Sequence, residues 1–331
     1  MNVEVIEVPK LSGTELLYKN YDVVVIGGGA AGLGGALTLA RARRSVLVID
    51  GGQPRNAPAA GVHALLGLDG IAPGELVARG QKEVCGYGGQ VVTDTVTAVS
   101  REDDGDRFVV TLADGRSIRS RRLLVATGVT DELPDIPGLR ERWGRDVVHC
   151  PYCHGWEVRD RPIGVLATGP MAIHQVLLFR QWSEDIVFFT NTADALPETD
   201  AEKLTARGIR VITGPVAGVD VAEDRITGVR MADGSVIARD VVALGSRMVA
   251  RTGFLDGMGL RPVEHPAGIG EHIPADASGH TEVPGVWVAG NITEPSAQVG
   301  AAAAAGTLAG ARINADLVEE DTERATAAVR G

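Results

Sequence analysis

The chain has no apolar run long enough to cross a bilayer, which takes roughly eighteen residues. Its nearest approach, GAAAAAGTLAGA from Gly300, is short and built of small residues. A basic stripe is also missing. With 32 Lys and Arg against 43 Asp and Glu, and a net charge of -11, the chain offers no field for a phosphate backbone or an anionic membrane surface. Neither nucleic acid nor membrane is expected as a partner. The opening stretch MNVEVIEVPKLSGTELLYKN has no cationic start followed by an apolar run, so no secretory signal is read there and a cytoplasmic location is expected. Cysteine is the third scarcity. Three in 331 residues, in a reducing compartment, cannot build a structural disulfide framework. The close pair Cys150 and Cys153 therefore reads as catalytic or metal-binding, and Cys85, in KEVCGYGG, as a small buried hydrophobe.

What the chain does have is the makings of two globular cores: 44% hydrophobic and 23% charged residues over a length that exceeds one ordinary domain. Its 43 glycines follow no collagen period and suggest tight turns and close backbone approaches. From Tyr21 to Asp50 the sequence YDVVVIGGGAAGLGGALTLARARRSVLVID reads as strand, glycine turn, helix, strand. Gly27, Gly29 and Gly32 form GxGxxG, one glycine for the turn, one for the approach of a pyrophosphate and one for close helix packing. Asp50 ends the second strand where a ribose hydroxyl would sit.

Further on, RRLLVATGVTDELPDIPG gives a buried strand, an Ala126-Thr127-Gly128 turn and a proline-bearing linker. A second βαβ pattern follows, with strand Ile163 to Leu166, a turn at Gly169, a helix near Met171 to Gln181 and strand Ile186 to Phe189. RITGVRMADGSVIARDVVALG reads as sheet, and VPGVWVAGN as a strand, Val286 to Ala289, leading into a small-residue helix. The acidic end, VEEDTERATAAVRG, has no apolar face of any length, so only partial order is expected there. The expectation is an α/β fold of two Rossmann-like dinucleotide-binding domains, the second inserted in the first. Residues 1–129 and 248–331 form the first domain, and 130–247 the insert with the C-x-x-C.

HCPYCHGWE, from His149 to Glu157, admits three readings. Its C-x-x-C-H string matches a c-type haem attachment site, but such haem is attached after export. Structural zinc needs four well-directed ligands; the adjacent His149 and Cys150 rarely both serve, and no second C-x-x-C or H-x-x-x-H is present, so no metal is assigned. A redox dithiol needs only two close thiols, a neighbour that lowers a thiol pKa and an electron partner. Pro151 limits the backbone between the thiols, and His154 can stabilise a thiolate or shuttle its proton. Trp156 reads as packing, and His149 has no assigned role.

These motifs together resemble the low-molecular-weight thioredoxin reductase family of flavoproteins, over nearly the whole chain after residue 20. The resemblance implies FAD on the outer domain, a Cys150–Cys153 disulfide near the flavin and a homodimer. By motif it implies that Gly27, Gly29, Gly32 and Asp50, with the Ala126-Thr127-Gly128 turn, hold the adenosine and pyrophosphate half of FAD. Gly290 and Asn291 would hold its ribityl and phosphate side. Gln298, Val299 and the residues to Ala301 would bring helix N-terminal amides to the flavin ring. Cys153 would pass electrons to the flavin and Cys150 would meet the substrate sulfur.

Three positions depart from the family pattern. Asn291 stands for the usual aspartate, His154 for the carboxylate after the second cysteine, and Ala167-Thr168-Gly169-Pro170-Met171-Ala172 for GxGxxA. The arginine-rich stretch after the next strand is TNTADALPE, which lacks the groups that grip a 2'-phosphate and argues against NADPH. The chain therefore looks more like the dithiol oxidase branch, which closes disulfides in small natural products such as gliotoxin and holomycin with O₂ as acceptor and H₂O₂ as product. An NAD(P)H-dependent reductase of a thioredoxin-like protein and a flavin-binding protein without turnover remain the alternatives.

Overall fold

The protein, seen in a computed structural model, is described for residues 20–102 and 107–330; the stretch inspected for a targeting signal, residues 1–19, lies outside the described residues. Val23 and Val25 belong to one buried apolar cluster, Val24 and Ile26 to another. Side chains alternate across a strand, so this unbroken run means a sheet covered on both faces, as parallel strands require. That strand, β1 (Asn20–Ile26), leads into α1 (Ala30–Arg41) and β2 (Val46–Asp50). Then come α2 (Pro73–Gly86), β3 (Gln90–Thr93), β4 (Val96–Arg101), β5 (Phe108–Leu112) and β6 (Ser117–Val125). Their sheet runs β3-β2-β1-β6-β5-β4.

The chain leaves this sheet through β7 (Val129–Glu132). Beyond it lie α3 (Leu139–Arg142), β8 (Val147–Val148), α4 (Pro151–His154), β9 (Ile163–Leu166), α5 (Ala172–Phe179) and β10 (Ile186–Phe189). Next are α6 (Glu198–Ala206), β11 (Arg210–Ile212), β12 (Val216–Ala222), β13 (Arg225–Met231), β14 (Val236–Ile237) and β15 (Val241–Leu244). A second parallel sheet runs β11-β10-β9-β15-β8, with its own cores on both faces, and β12 to β14 form an antiparallel sheet beside it. β16 (Arg247–Ala250) comes back antiparallel to β7, Arg247 opposite Glu132 and Ala250 opposite Val129. A hairpin of β17 (Val263–Glu264) and β18 (Glu271–His272) precedes β19 (Val286–Val288), which pairs with Leu123 to Val125 of β6 and so rejoins the first sheet.

The last helix, α7 (Val299–Arg330), accounts for the small-residue run. A Cβ on Gly306 would collide with the Ala31 carbonyl of α1, and one on Gly310 would lie 2.7 Å from the Gly35 carbonyl, so the two backbones touch only because these residues are glycine. Four expectations need correction. Trp156, expected as packing, is exposed, with the Arg159 guanidinium over its ring. The acidic end is not a loosely ordered tail: α7 continues to Arg330, Leu317 is buried, and Asp316, Glu320 and Asp321 pair with Arg122, Arg121 and Arg44 of the first sheet's elements. Charge complementarity there replaces the missing apolar face. Cys85 is exposed rather than buried, because Val84 takes the inward position on α2 and the next residue lies about 100° around the helix. The helix expected to reach Gln181 ends at Phe179, and the Gln181 amide closes a turn onto the Leu178 carbonyl.

Candidate active site

Gly27 follows β1 with φ +106, a left-handed conformation, and a Cβ there would strike the carbonyl of Ala126. The first glycine turn is thus pressed directly on the Ala126-Thr127-Gly128 turn, which is tied to the residue after β16 by a Thr127 Oγ1 hydrogen bond to the Arg251 carbonyl at 2.8 Å. Gly28, which motif reading passed over, gives its N–H to Asp50 Oδ1 at 3.2 Å. Gly29 caps α1, and a Cβ there would meet nothing within 4 Å. The first turn of α1 has neither an acidic residue nor a side-chain cap, so its amides keep their positive field for an outside anion. Gly32 faces inward; a Cβ would collide with the Gly27 carbonyl.

Across this opening, Gly290 with φ +80 brings its backbone against Ala31. Asn291 turns its Nδ2 to the carbonyls of Glu294, Pro295 and Ala297 at 3.2, 2.9 and 2.9 Å, a set of acceptors that an aspartate could not satisfy. The amide thereby fixes the loop that delivers Gln298 to the start of α7, where the Gln298 carbonyl accepts from Ala302 N at 2.9 Å. Open space over Gly29, uncapped amides and an acid at Asp50 form a cradle whose chemistry fits the pyrophosphate and ribose of FAD.

Cys150 and Cys153 are disulfide-bonded, with Cα atoms 5.2 Å apart. Cys150 precedes the short turn α4, whose Pro151 supplies a fixed φ, and the amides of Cys153 and His154 both donate to the Cys150 carbonyl at 3.2 and 3.1 Å. Gly155 leaves room for the Trp182 ring, which would lie 2.7 Å from a Cβ. Neither ring nitrogen of His154 has a hydrogen bond of ordinary geometry, although both are buried; the Cys150 carbonyl exerts only a weak pull. Burial pushes the His154 pKa down, Glu157 pulls it up and His63 pushes it down. The ring is therefore a neutral base at pH 7.

His149 lies against Trp143, ring centroids 6.2 Å apart and planes at 14°, while Gln175 Nε2 donates to its carbonyl at 2.6 Å. Burial, and then the charge of Arg55, push its pKa down to about 4, so it carries no charge for a neighbouring thiolate. Arg55 comes from the loop between β2 and α2, as does His63, whose Nε2 lies 3.4 Å from Glu157 Oε1. Sequence reading missed Arg55, His63 and the role of Glu157. Only Glu157 left a signal: three residues after His154 in a helical turn, it shares that residue's face.

The second glycine turn differs from the first. Ala167 is buried and not left-handed, Thr168 Oγ1 donates to the Gly245 carbonyl at 2.6 Å, and Pro170 approaches Gly268 so closely that a Cβ there would lie 3.2 Å from its ring. The following segment leaves Asn191 Oδ1 engaged with Val216 N at 3.0 Å and brings no arginine in TNTADALPE.

Comparison with known proteins adds three findings. The family model described as pyridine nucleotide-disulphide oxidoreductase matches residues 21–307. Thioredoxin reductase tcpT of Claviceps purpurea is 34% identical over 72% of this chain and 77% of its own length, and thioredoxin reductase sirT of Leptosphaeria maculans 30% identical over 91% and 95%. Among solved structures, HlmI is 47% identical with a TM-score of 0.88, covering 94% of this chain and 96% of that one. An oxidoreductase from Agrobacterium tumefaciens is 36% identical, TM-score 0.84, covering 90% and 99%.

Proposed function

The chain belongs to the pyridine nucleotide-disulphide oxidoreductase family, and from that premise we propose that it is a dithiol oxidase, closing a disulfide in a small molecule with O₂ as final acceptor. That it is an FAD-dependent oxidoreductase of thiols and disulfides follows from the family. The observation that carries the finer reading is the contrast between the two glycine turns. Both leave open space over their middle glycine, Gly29 and Gly169, but in the second a buried Ala167 that is not left-handed replaces Gly27, and Pro170, which has no amide to donate, lies against Gly268.

In the proposed cycle a ring nitrogen of His154 takes the proton of the first substrate thiol. The thiolate attacks Cys150 Sγ, the Cys150–Cys153 bond breaks and Cys153 leaves as a thiolate. The second substrate thiol, deprotonated in the same way, attacks the substrate sulfur of the mixed disulfide and releases Cys150. Two electrons now reside on the enzyme dithiol, and the product leaves as a disulfide. FAD held by Gly27, Gly29, Gly32, Asp50, Gly290 and Asn291 supplies a two-electron acceptor that O₂ can reoxidise with release of hydrogen peroxide.

That the relatives tcpT and sirT are named thioredoxin reductases favours a second reading, an NAD(P)H-dependent reductase of a disulfide protein. Anaerobic mixing of the oxidised enzyme with a dithiol, NADPH or NADH, while flavin absorbance is followed, separates the two. Bleaching by the dithiol alone supports the oxidase, and rapid bleaching by a nucleotide overturns it. A cytoplasmic homodimer is proposed with either reading, and sedimentation tests the dimer.

A further inference from the structure

The loop between β2 and α2 places His63 over the segment that follows the dithiol. His63 Nε2 is 3.4 Å from Glu157 Oε1, and His63 Nδ1 is 3.7 Å from Asp69 Oδ1. Asp69 is itself fixed by accepting from Ala64 N at 2.8 Å. Glu157 follows His154 on one helical face, the Val158 amide donating back to the His154 carbonyl at 3.2 Å. Glu157, His63 and Asp69 are therefore linked in a row, and the charges of Glu157 and His63 both act on His154, whose ring nitrogens hydrogen-bond to neither. Beyond His154 each member reaches solvent, the Glu157 side chain being 41% exposed. The His154 ring nitrogens are buried, whereas the side chains of His63 and Asp69 are 27% and 69% exposed.

We propose that Glu157 and His63 are positioning residues that carry protons between His154 and solvent during thiol–disulfide exchange. The inference rests on the thiol chemistry proposed above but not on which acceptor ends the cycle. Each turnover breaks two substrate S–H bonds and the Cys150–Cys153 bond and forms one substrate S–S bond. Two electrons stay with the enzyme sulfurs, and His154, whose ring nitrogens have no hydrogen-bond partner, must part with the first proton before it can take the second. In the oxidase cycle the two protons are taken up again when hydrogen peroxide forms, so the row moves protons both ways with no net release. A neutral His154 takes each proton; Glu157 stabilises the resulting imidazolium, and His63 passes the proton on to the surface. His63 belongs to the first sheet's half of the chain and Glu157 to the insert, so the row exists only where the two meet.

The charged groups that face His154 are Glu157 on its own segment, His63 on the opposing loop, and His149, itself beside Arg55 and Asp131. Because Glu157 raises the His154 pKa and His63 lowers it, removing each should move the acidic limb of the rate in opposite directions. The test is anaerobic rapid mixing of the FAD-loaded enzyme with dithiothreitol across pH, which reads exchange without the final acceptor. Glu157→Gln should shift the acidic limb to lower pH and His63→Gln to higher pH, each slowing exchange about tenfold, short of the ~10²-fold expected for loss of a general base. FAD content and melting temperature should stay at the wild-type values, and added imidazole should restore much of the rate of His63→Ala. Unshifted limbs at wild-type rates, or losses that track FAD release or a lowered melting temperature, overturn the relay. A wild type that exchanges with dithiothreitol yet yields no peroxide in air overturns the oxidase reading instead.

Discussion

Arg55 grips Asp131 through two parallel hydrogen bonds, Nε to Oδ2 at 2.7 Å and Nη2 to Oδ1 at 2.6 Å, and so ties the loop after β2 to the crossover strand β7. Ser246 Oγ donates to the same carboxylate, and Arg55 Nη2 lies 3.5 Å from His149 Nε2, next to the dithiol. Burial alone would raise the Asp131 pKa, but the hydrogen bonds and charge of Arg55 hold it below the usual carboxylate range.

Arg55→Ala would leave Asp131, 8% exposed, without its partner, and removal of one member of such a pair should cost about 3 kcal/mol. The loss should appear in urea denaturation at neutral pH. The sign of the pH effect follows from the depressed pKa: the contribution is complete above the unfolded value of about 3.9 and fades as pH falls through the folded value. In Arg55→Ala burial leaves Asp131 with a raised pKa, so the difference from wild type should be largest at neutral pH and shrink as acid protonates the unpartnered carboxylate. A difference that vanishes near pH 6.5 would implicate His149 instead.

The second and third glycines of the first cradle should fail in different ways. Gly29 faces open space, so Gly29→Val should fold with a normal circular dichroism spectrum and fail to retain FAD, its branched side chain standing where the pyrophosphate approaches. Gly32 faces the Gly27 carbonyl, so Gly32→Val should lose the fold itself. Flavin absorbance per mole of protein, read beside a melting curve, separates the two. Gly29→Val retaining full flavin would remove this turn from the cofactor site.

Much of this was legible in the sequence because it depends on local order. Val23 to Ile26 and Ile163 to Leu166 announce parallel strands by being apolar on both faces, and Gly27 to Gly32 announce the turn that follows. What stayed hidden depends on partners distant in the chain. The run from Gly300 reads as a helix, but its reason for being small lies at Ala31 and Gly35. Arg55 and His63 sit in a loop without periodicity, and their partners Asp131 and Glu157 belong to other elements. Cys85 was misread because burial on an amphipathic helix depends on phase, which one residue can reverse.

The cysteine assignment predicts an asymmetry. If Cys150 meets the substrate sulfur, Cys153→Ser should form a stable mixed disulfide when mixed with an oxidised small-molecule disulfide, because the resolving thiol is gone. Cys150→Ser should form far less, since its remaining Cys153 would face the flavin side. Intact mass spectrometry reads the adduct directly. An adduct confined to Cys150→Ser would reverse the roles.

The proposed oxidase makes its clearest prediction at the second glycine turn. A nicotinamide nucleotide would need backbone amides at residues 167–172 to reach its pyrophosphate, but Ala167 is buried without a left-handed turn, and Pro170 removes one amide donor while it packs toward Gly268. Beyond β10, TNTADALPE supplies no guanidinium for a 2'-phosphate. A dithiol needs none of these groups, because its electrons enter at Cys150. In air, therefore, a dithiol should drive oxygen consumption with one peroxide released per disulfide formed, while NADPH and NADH should leave the flavin oxidised over the same interval. Ala167→Gly combined with Pro170→Ala restores the first glycine and the missing amide donor, and it should raise nucleotide-driven bleaching above the wild-type background without altering the dithiol rate. Fast bleaching of the wild type by either nucleotide, followed by reduction of a disulfide protein, would show that the crowded turn still binds, and the reductase reading would then replace the oxidase.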